Sequence, residues 1–122
     1  MPQIRKLLKL AKTLRSDAGC PWDKEQTLET MLQCVKNEID ELEEAIAKRD
    51  FDNLEEEAGD VLFSLISIVQ IAGEHGDVSF AKVLERIEKK IISRHTWVFA
   101  NDEAATAEEA LALWRKNKKK EK

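Results

Sequence analysis

Two acidic pairs carry the chemistry this chain could do: Glu38-Ile39-Asp40-Glu41 and Glu57-Ala58-Gly59-Asp60, each with two carboxylates three residues apart in a stretch of helical periodicity. Residues three and four apart share one side of a helix, so the members of each pair face the same way. Two such helices packed together aim four carboxylates at one point, where they repel and raise one another's pKa unless hard cations intervene. The spacing therefore predicts a Mg²⁺ site, with Mn²⁺ as a substitute, and chemistry on phosphates. Glu38, Glu41, Glu57 and Asp60 are the candidate ligands. Two cations held there could clamp the attacking and leaving oxygens of a phosphoryl displacement. No P-loop is present, so phosphate recognition falls to metal and basic side chains, with Lys90 and Arg94, four apart near a helix end, as candidates.

The elements that must position these groups read as helices throughout. Four glycines, two prolines, no tyrosine and no alternating β-branched run predict an all-α bundle of about four to five helices. A first helix covers about Pro2 to Arg15, and the loop SDAGCPWDKEQ follows. Asp23 with Gln26 has the form of a capping box and Trp22 that of a staple, starting a helix from about Lys24 to Lys48. Its apolar stripe is Leu28, Met31, Val35, Ile39, Leu42 and Ile46, with Cys34, Glu38, Glu41 and Ala45 along one flank. A second box, Asp52 with Glu55, opens a helix whose stripe is Leu54, Ala58, Val61, Leu65, Ile68 and Ala72, with Glu57, Asp60 and Ser64 on its flank.

Residues 61–72, VLFSLISIVQIA, are too short to span a bilayer and too apolar for a wet face, which predicts burial on all sides and a dimer interface. Asp60, at the head of that run, is expected to be partly desolvated. Gly59 has a helix cost of about 1 kcal/mol relative to Ala, which a close helix crossing or a passing ligand would offset. A further helix runs from about Ser79 to His95 with Phe80, Val83, Leu84, Ile87 and Ile91 inward. The box Thr106 with Glu109 opens a short last helix through Trp114, and residues 116–122 form a frayed basic tail.

Composition narrows the function class. With 122 residues the chain reads as one domain, residues 1–122. A net charge of −4 gives no general attraction to nucleic acid polymers or acidic membranes. Two cysteines without a CxxC and two histidines argue against a zinc cluster or disulfide framework, and the N-terminus lacks the form of a secretory signal; together these point to a reducing cytoplasm.

With the loop GCPWDKEQT, the pairs NEIDE and EEAGD, the segment KIISRHTWVF and Trp114 in place, the sequence resembles the MazG family of nucleoside triphosphate pyrophosphohydrolases from about Leu7 to Lys116. The resemblance implies an all-α fold, obligate homodimers that can pair further, and Mg²⁺-dependent hydrolysis of a (deoxy)nucleoside triphosphate to monophosphate and pyrophosphate. It implies Glu38, Glu41, Glu57 and Asp60 as metal ligands, Lys90 and Arg94 as triphosphate ligands, and Trp114 and Lys118 as residues closing over the nucleotide. Two departures stand out. The family's EExxE begins here with Asn37, and its HPHVF is His95-Thr96-Trp97-Val98-Phe99, with Trp97 in place of a histidine.

Cys34 reads as a small packing residue with no His or Lys placed to activate it, so covalent catalysis is discounted. The attacking water is instead activated by metal, with Glu38 or Glu41 accepting its proton. Trp97 reads either as a base-stacking or as an interface residue. Two rival readings are a phosphoribosyl-ATP pyrophosphohydrolase and a non-catalytic nucleotide-binding helical dimer.

Overall fold

The computed structural model describes residues 2–121, among which there are seven α-helices and no strand: α1 Pro2–Leu14, α2 Pro21–Glu25, α3 Leu28–Ala47, α4 Phe51–His75, α5 Phe80–Arg94, α6 Thr96–Phe99 and α7 Ala107–Lys120. Five are long and two, α2 and α6, are little more than one turn. The chain forms two compact units, Met1–Phe80 and Ala81–Lys122.

In the first unit, α4 packs against α3 and α1. Residue Cys20 ends a loop that folds back on α1: its N–H donates to the Leu14 carbonyl at 2.8 Å. A Cβ on Gly19 would collide with the carbonyl oxygens of Thr13 and Leu14, so only glycine allows this return. Arg15 fixes the junction. Its Nε and second terminal nitrogen donate to the two oxygens of Glu74 at 2.8 Å each, and its remaining nitrogen donates to the carbonyls of Asp23 and Gln26.

The predicted Asp23–Gln26 capping box is not formed. Pro21, at the first turn of α2, starts a separate short helix, and Gln26 is extended at ψ 145°. The long helix begins instead at Thr27: its hydroxyl accepts from the Thr30 N–H at 3.2 Å, and the Thr30 hydroxyl accepts from the Thr27 N–H at 2.8 Å. Trp22 does not staple, since the residue is 54% exposed. Likewise α4 is capped by Asp50, which accepts from the Asn53 N–H at 3.2 Å, two residues before the predicted Asp52.

The α3–α4 turn positions the carboxylates. Arg49 adopts the left-handed conformation (φ 53°), its N–H donates to the Ile46 carbonyl, and the Asp50 N–H donates to Ala45. This is a Schellman closure with arginine where glycine is usual. Because Asp50 then caps α4 at once, the two helices run back antiparallel in a fixed register.

Packing rotates α4 from the predicted phase, whereas on α3 the predicted Met31 and Val35 are buried as expected. On α3, Met31, Val35 and Ala45 are buried, while Ile39 and Ile46 are exposed; on α4, Glu57, Ser64, Ile66, Ser67 and Ile71 are buried, while Leu65 is exposed. Along the flank that carries the carboxylates, Ala45, Glu57 and Ser64 are buried, Glu38 is half-buried, and Glu41 and Asp60 are exposed. Within the single chain the run 61–72 is covered in part, with Leu62 and Leu65 open. Gly59 meets no close crossing: a Cβ there would find nothing within 4 Å.

In the second unit, α6 packs on α7. No residue of α5 is buried, so the predicted inward face of Val83, Leu84, Ile87 and Ile91 stands exposed. The last helix does not fray after Trp114 but continues to Lys120, and Asn117 within it is buried. Among the described residues no single helix is long and apolar enough to cross a membrane.

Candidate active site

The α3–α4 register decides which carboxylates meet. Glu41 and Glu57 each lie eight residues from Arg49, and Glu38 and Asp60 each lie eleven, so an antiparallel hairpin sets them opposite one another in two adjacent rungs. One oxygen from each of Glu38, Glu41 and Glu57 lies within 4.8 Å of the others. Asp60 is outside that triplet and exposed, on the α4 turn that follows Glu57. The buried member is therefore Glu57 rather than Asp60, whose expected desolvation is not found.

The electrostatics follow from this crowding. The close approach of the Glu41 carboxyl, desolvation, and the charges of Glu41, Asp60 and Glu38 together push the Glu57 pKa up to about 7. Burial and the charges of Asp60 and Glu41 also raise Glu38. One oxygen of Glu57, Oε2, is buried with no hydrogen-bond partner. A buried carboxylate oxygen without a donor is costly, and like charges at this range cannot all ionise unaided. A cation satisfies both demands. The donor set is all carboxylate oxygen, which suits Mg²⁺ or Mn²⁺ and not soft metals, so the residues fit a hard divalent ion. Asn37 is turned to another use: its Oδ1 accepts from Gln33 at 3.1 Å on the outer surface of α3.

The second unit gathers the other candidates. The Arg94 guanidinium lies over the Trp114 ring at 5.0 Å from the centroid and Lys118 Nζ at 5.3 Å. Arg94 also donates through two nitrogens to Oε2 of Glu121, at 3.0 and 3.1 Å, and Oε1 of Glu121 accepts from the Ser93 hydroxyl at 2.7 Å. These bonds hold the Glu121 carboxyl below the usual range. Lys90 lines an open groove with Arg86, Lys89, Ser93 and Glu121.

Sequence reasoning missed Glu121, and it missed Asn117, whose Nδ2 donates to the Arg94 carbonyl at 3.1 Å and the Thr96 hydroxyl at 2.9 Å. A signal existed: Ala110, Trp114, Asn117 and Glu121 recur four, three and four apart, one helical face running through what looks like a lysine tail.

Comparison with known proteins agrees with the geometry. The MazG nucleotide pyrophosphohydrolase domain family matches residues 26–99. The nucleoside triphosphate pyrophosphohydrolase of Escherichia coli K12 is 41% identical over 123 residues, covering 100% of this chain and 47% of the relative. The nucleoside triphosphate pyrophosphohydrolase/pyrophosphatase MazG of Thermotoga maritima is 37% identical over 98 residues, covering 80% of this chain and 38% of the relative. The chain thus spans about half the length, or less, of these curated relatives. Among solved structures, that of a MazG-related protein from Thermotoga maritima superposes with a TM-score of 0.78 at 32% identity, covering 94% of this chain and 98% of that one. A hairpin that turns acidic flanks inward and a match running from the α2–α3 junction through α6 lead to one conclusion: the chain belongs to the MazG nucleotide pyrophosphohydrolase family.

Proposed function

We propose that this chain hydrolyses a (deoxy)nucleoside triphosphate to the monophosphate and pyrophosphate, with Mg²⁺ or Mn²⁺ held by Glu38, Glu41, Glu57 and Asp60. The observation that carries this reading is the orphaned, buried Oε2 of Glu57 inside a triplet of carboxylates. A bound divalent ion would neutralise phosphate charge and make a water easier to deprotonate. Glu38 and Glu41, which are less buried than Glu57, take that water's proton in this reading. Its oxygen then bonds to the α-phosphorus, the bond from that phosphorus to the bridging oxygen breaks, and pyrophosphate leaves. Lys90, Arg94 and Lys118 supply positive charge for the triphosphate, and Trp114 an aromatic face.

The working assembly is a homodimer. Support comes from apolar side chains that a single chain leaves open: Leu32, Ile39 and Ile46 on α3, Leu65 on α4, and Ile87 and Ile91 on α5, all between 43 and 49% exposed. The test is a panel of canonical and modified nucleotides incubated with Mg²⁺, with monophosphate and pyrophosphate both quantified. Equal amounts of the two are expected, and Asp60→Asn should slow their release. A panel without turnover, or full turnover by Asp60→Asn, defeats the reading.

A further inference from the structure

The residues around α6 and α7 form two grooves that share one wall. The first, about 330 Å³, is lined by His95, Trp97, Ala110, Leu111 and Trp114. The second, about 380 Å³, is lined by Trp114, Arg115, Lys118 and Lys119. One is aromatic and aliphatic, the other cationic, and the indole of Trp114 separates them. The first has the size of a small-ligand site.

The aromatic slot is built rather than incidental. Trp97 and His95 are in ring contact, with centroids 5.0 Å apart and planes at 43°. Asn117, 6% exposed, ties the end of α5 to the start of α6 through Arg94 and Thr96, so the wall carrying Trp97 is fixed to the helix carrying Trp114. The His95 ring is set as well. Its Nδ1 lies 2.6 Å from the Ile91 carbonyl, an acceptor only, so Nδ1 carries the hydrogen and donates. Its Nε2 is then the ring's remaining hydrogen-bonding atom, an acceptor while the ring is neutral.

A flat apolar ring with polar edges fits the first groove, and a chain of negative charge fits the second. A nucleotide has both parts. We propose that the slot between Trp97 and Trp114 takes the base of the nucleoside triphosphate, with Trp97 as a stacking residue and His95 as a reader of a base N–H. The inference rests on the nucleotide reading above and deepens it, by placing base selection on α6 and α7. Trp97 stands where the family's motif has histidine, so this wall departs from that motif. Stacking between an indole and a base is strong and tolerant of base identity; discrimination falls to the single acceptor on His95.

Affinities of α,β-imido deoxynucleoside triphosphates of the four bases, and of inorganic triphosphate, measured with Mg²⁺ for the unaltered protein, Trp97→Ala and Trp97→Phe, test this. Trp97→Ala should weaken the best-bound nucleotide roughly tenfold or more and leave inorganic triphosphate within about twofold, while Trp97→Phe keeps most of the nucleotide affinity. Equal weakening of both ligands, or no weakening, overturns the slot. If the unaltered protein binds no nucleotide, the nucleotide reading falls and the slot with it; if it binds and Trp97→Ala binds equally well, the slot alone falls. Should Trp97→Ala fail to fold, the indole N–H signals of the unaltered protein decide. The Trp97 signal must shift with nucleotide and stay in place with inorganic triphosphate; an unmoved Trp97 signal with nucleotide overturns the proposal.

Discussion

Glu57 and Glu41, on opposite arms of the α3–α4 hairpin, bring carboxylate oxygens within 4.8 Å of one another and of Glu38. Like charges at that range favour a proton or a cation among them. Since the folded pKa of Glu57 is raised from the ordinary value near 4.5 to about 7, its contribution to stability is fully present below about pH 4.5 and is lost as pH rises through 7. The metal-free protein should therefore melt at lower temperature at pH 8 than at pH 6, by scanning calorimetry in EDTA. Glu57→Gln should flatten that slope, and Mg²⁺ should restore the unaltered protein at pH 8 while doing little for the variant. Identical pH slopes for the two proteins would count against the crowding described here.

Arg15, just after α1, is tied to α2, to the Gln26 that ends it and to α4 through four hydrogen bonds, with its side chain 13% exposed. Arg15→Met is expected to cost about 2 kcal/mol of unfolding free energy in urea, a figure kept modest because the Glu74 side chain is one-third exposed. The Glu74 carboxyl is held below its usual range mainly by that arginine. The stability it adds is present at neutral pH and lost as pH falls below the ordinary carboxylate range. Arg15→Met should remove this acid limb; a variant that keeps it would show that Glu74 gains nothing from the pair.

The helical fold and the acidic pairs are legible in the sequence because the 3.6-residue period and three-residue carboxylate spacing are local properties. The phase of the helices is not. Leu65 and Ile39 looked like core and Glu57 like border, yet the single chain buries Glu57 and leaves both apolar residues exposed. What sets the phase is the turn at Arg49, and its left-handed arginine gives no glycine signal. Placed on that turn, the eight-residue spacing on either side pairs Glu41 with Glu57 directly. Helix starts are displaced for a similar reason: Asp23 and Asp52 are good caps by type, but Pro21 starts α2 two residues before Asp23, and the Schellman turn lets Asp50 cap α4 two residues before Asp52.

Asn117 is the only buried residue of α7, and its amide serves a carbonyl and a hydroxyl at once. Asn117→Ala should destabilise the protein by about 2 kcal/mol, read by chemical denaturation. Asn117→Asp, which cannot donate to the Arg94 carbonyl, should be at least as damaging. An unchanged denaturation midpoint in both would show that α6 is held by other contacts.

The open apolar face of α5 makes a prediction about assembly. Ile87 is 45% exposed and Ile91 44%. Light scattering should give the unaltered protein the mass of a dimer, and Ile87→Glu should shift it toward monomer, because a charge without a partner is costly to bury. A stable monomer at micromolar concentration contradicts the homodimer.

The central claim is that the carboxylates of α3 and α4 hold the cation on which turnover depends. Its most direct test is the rate of pyrophosphate release from the best nucleotide of the panel as Mg²⁺ is titrated, for the unaltered protein and for Glu57→Gln. The account predicts saturable activation by Mg²⁺ from a baseline near zero in EDTA. Glu57→Gln should turn over roughly a hundredfold more slowly and need more Mg²⁺ for half-activation, a loss in the range of a removed electrostatic catalytic contact. Turnover that persists in EDTA, or a Glu57→Gln variant with the rate and Mg²⁺ dependence of the unaltered protein, contradicts it.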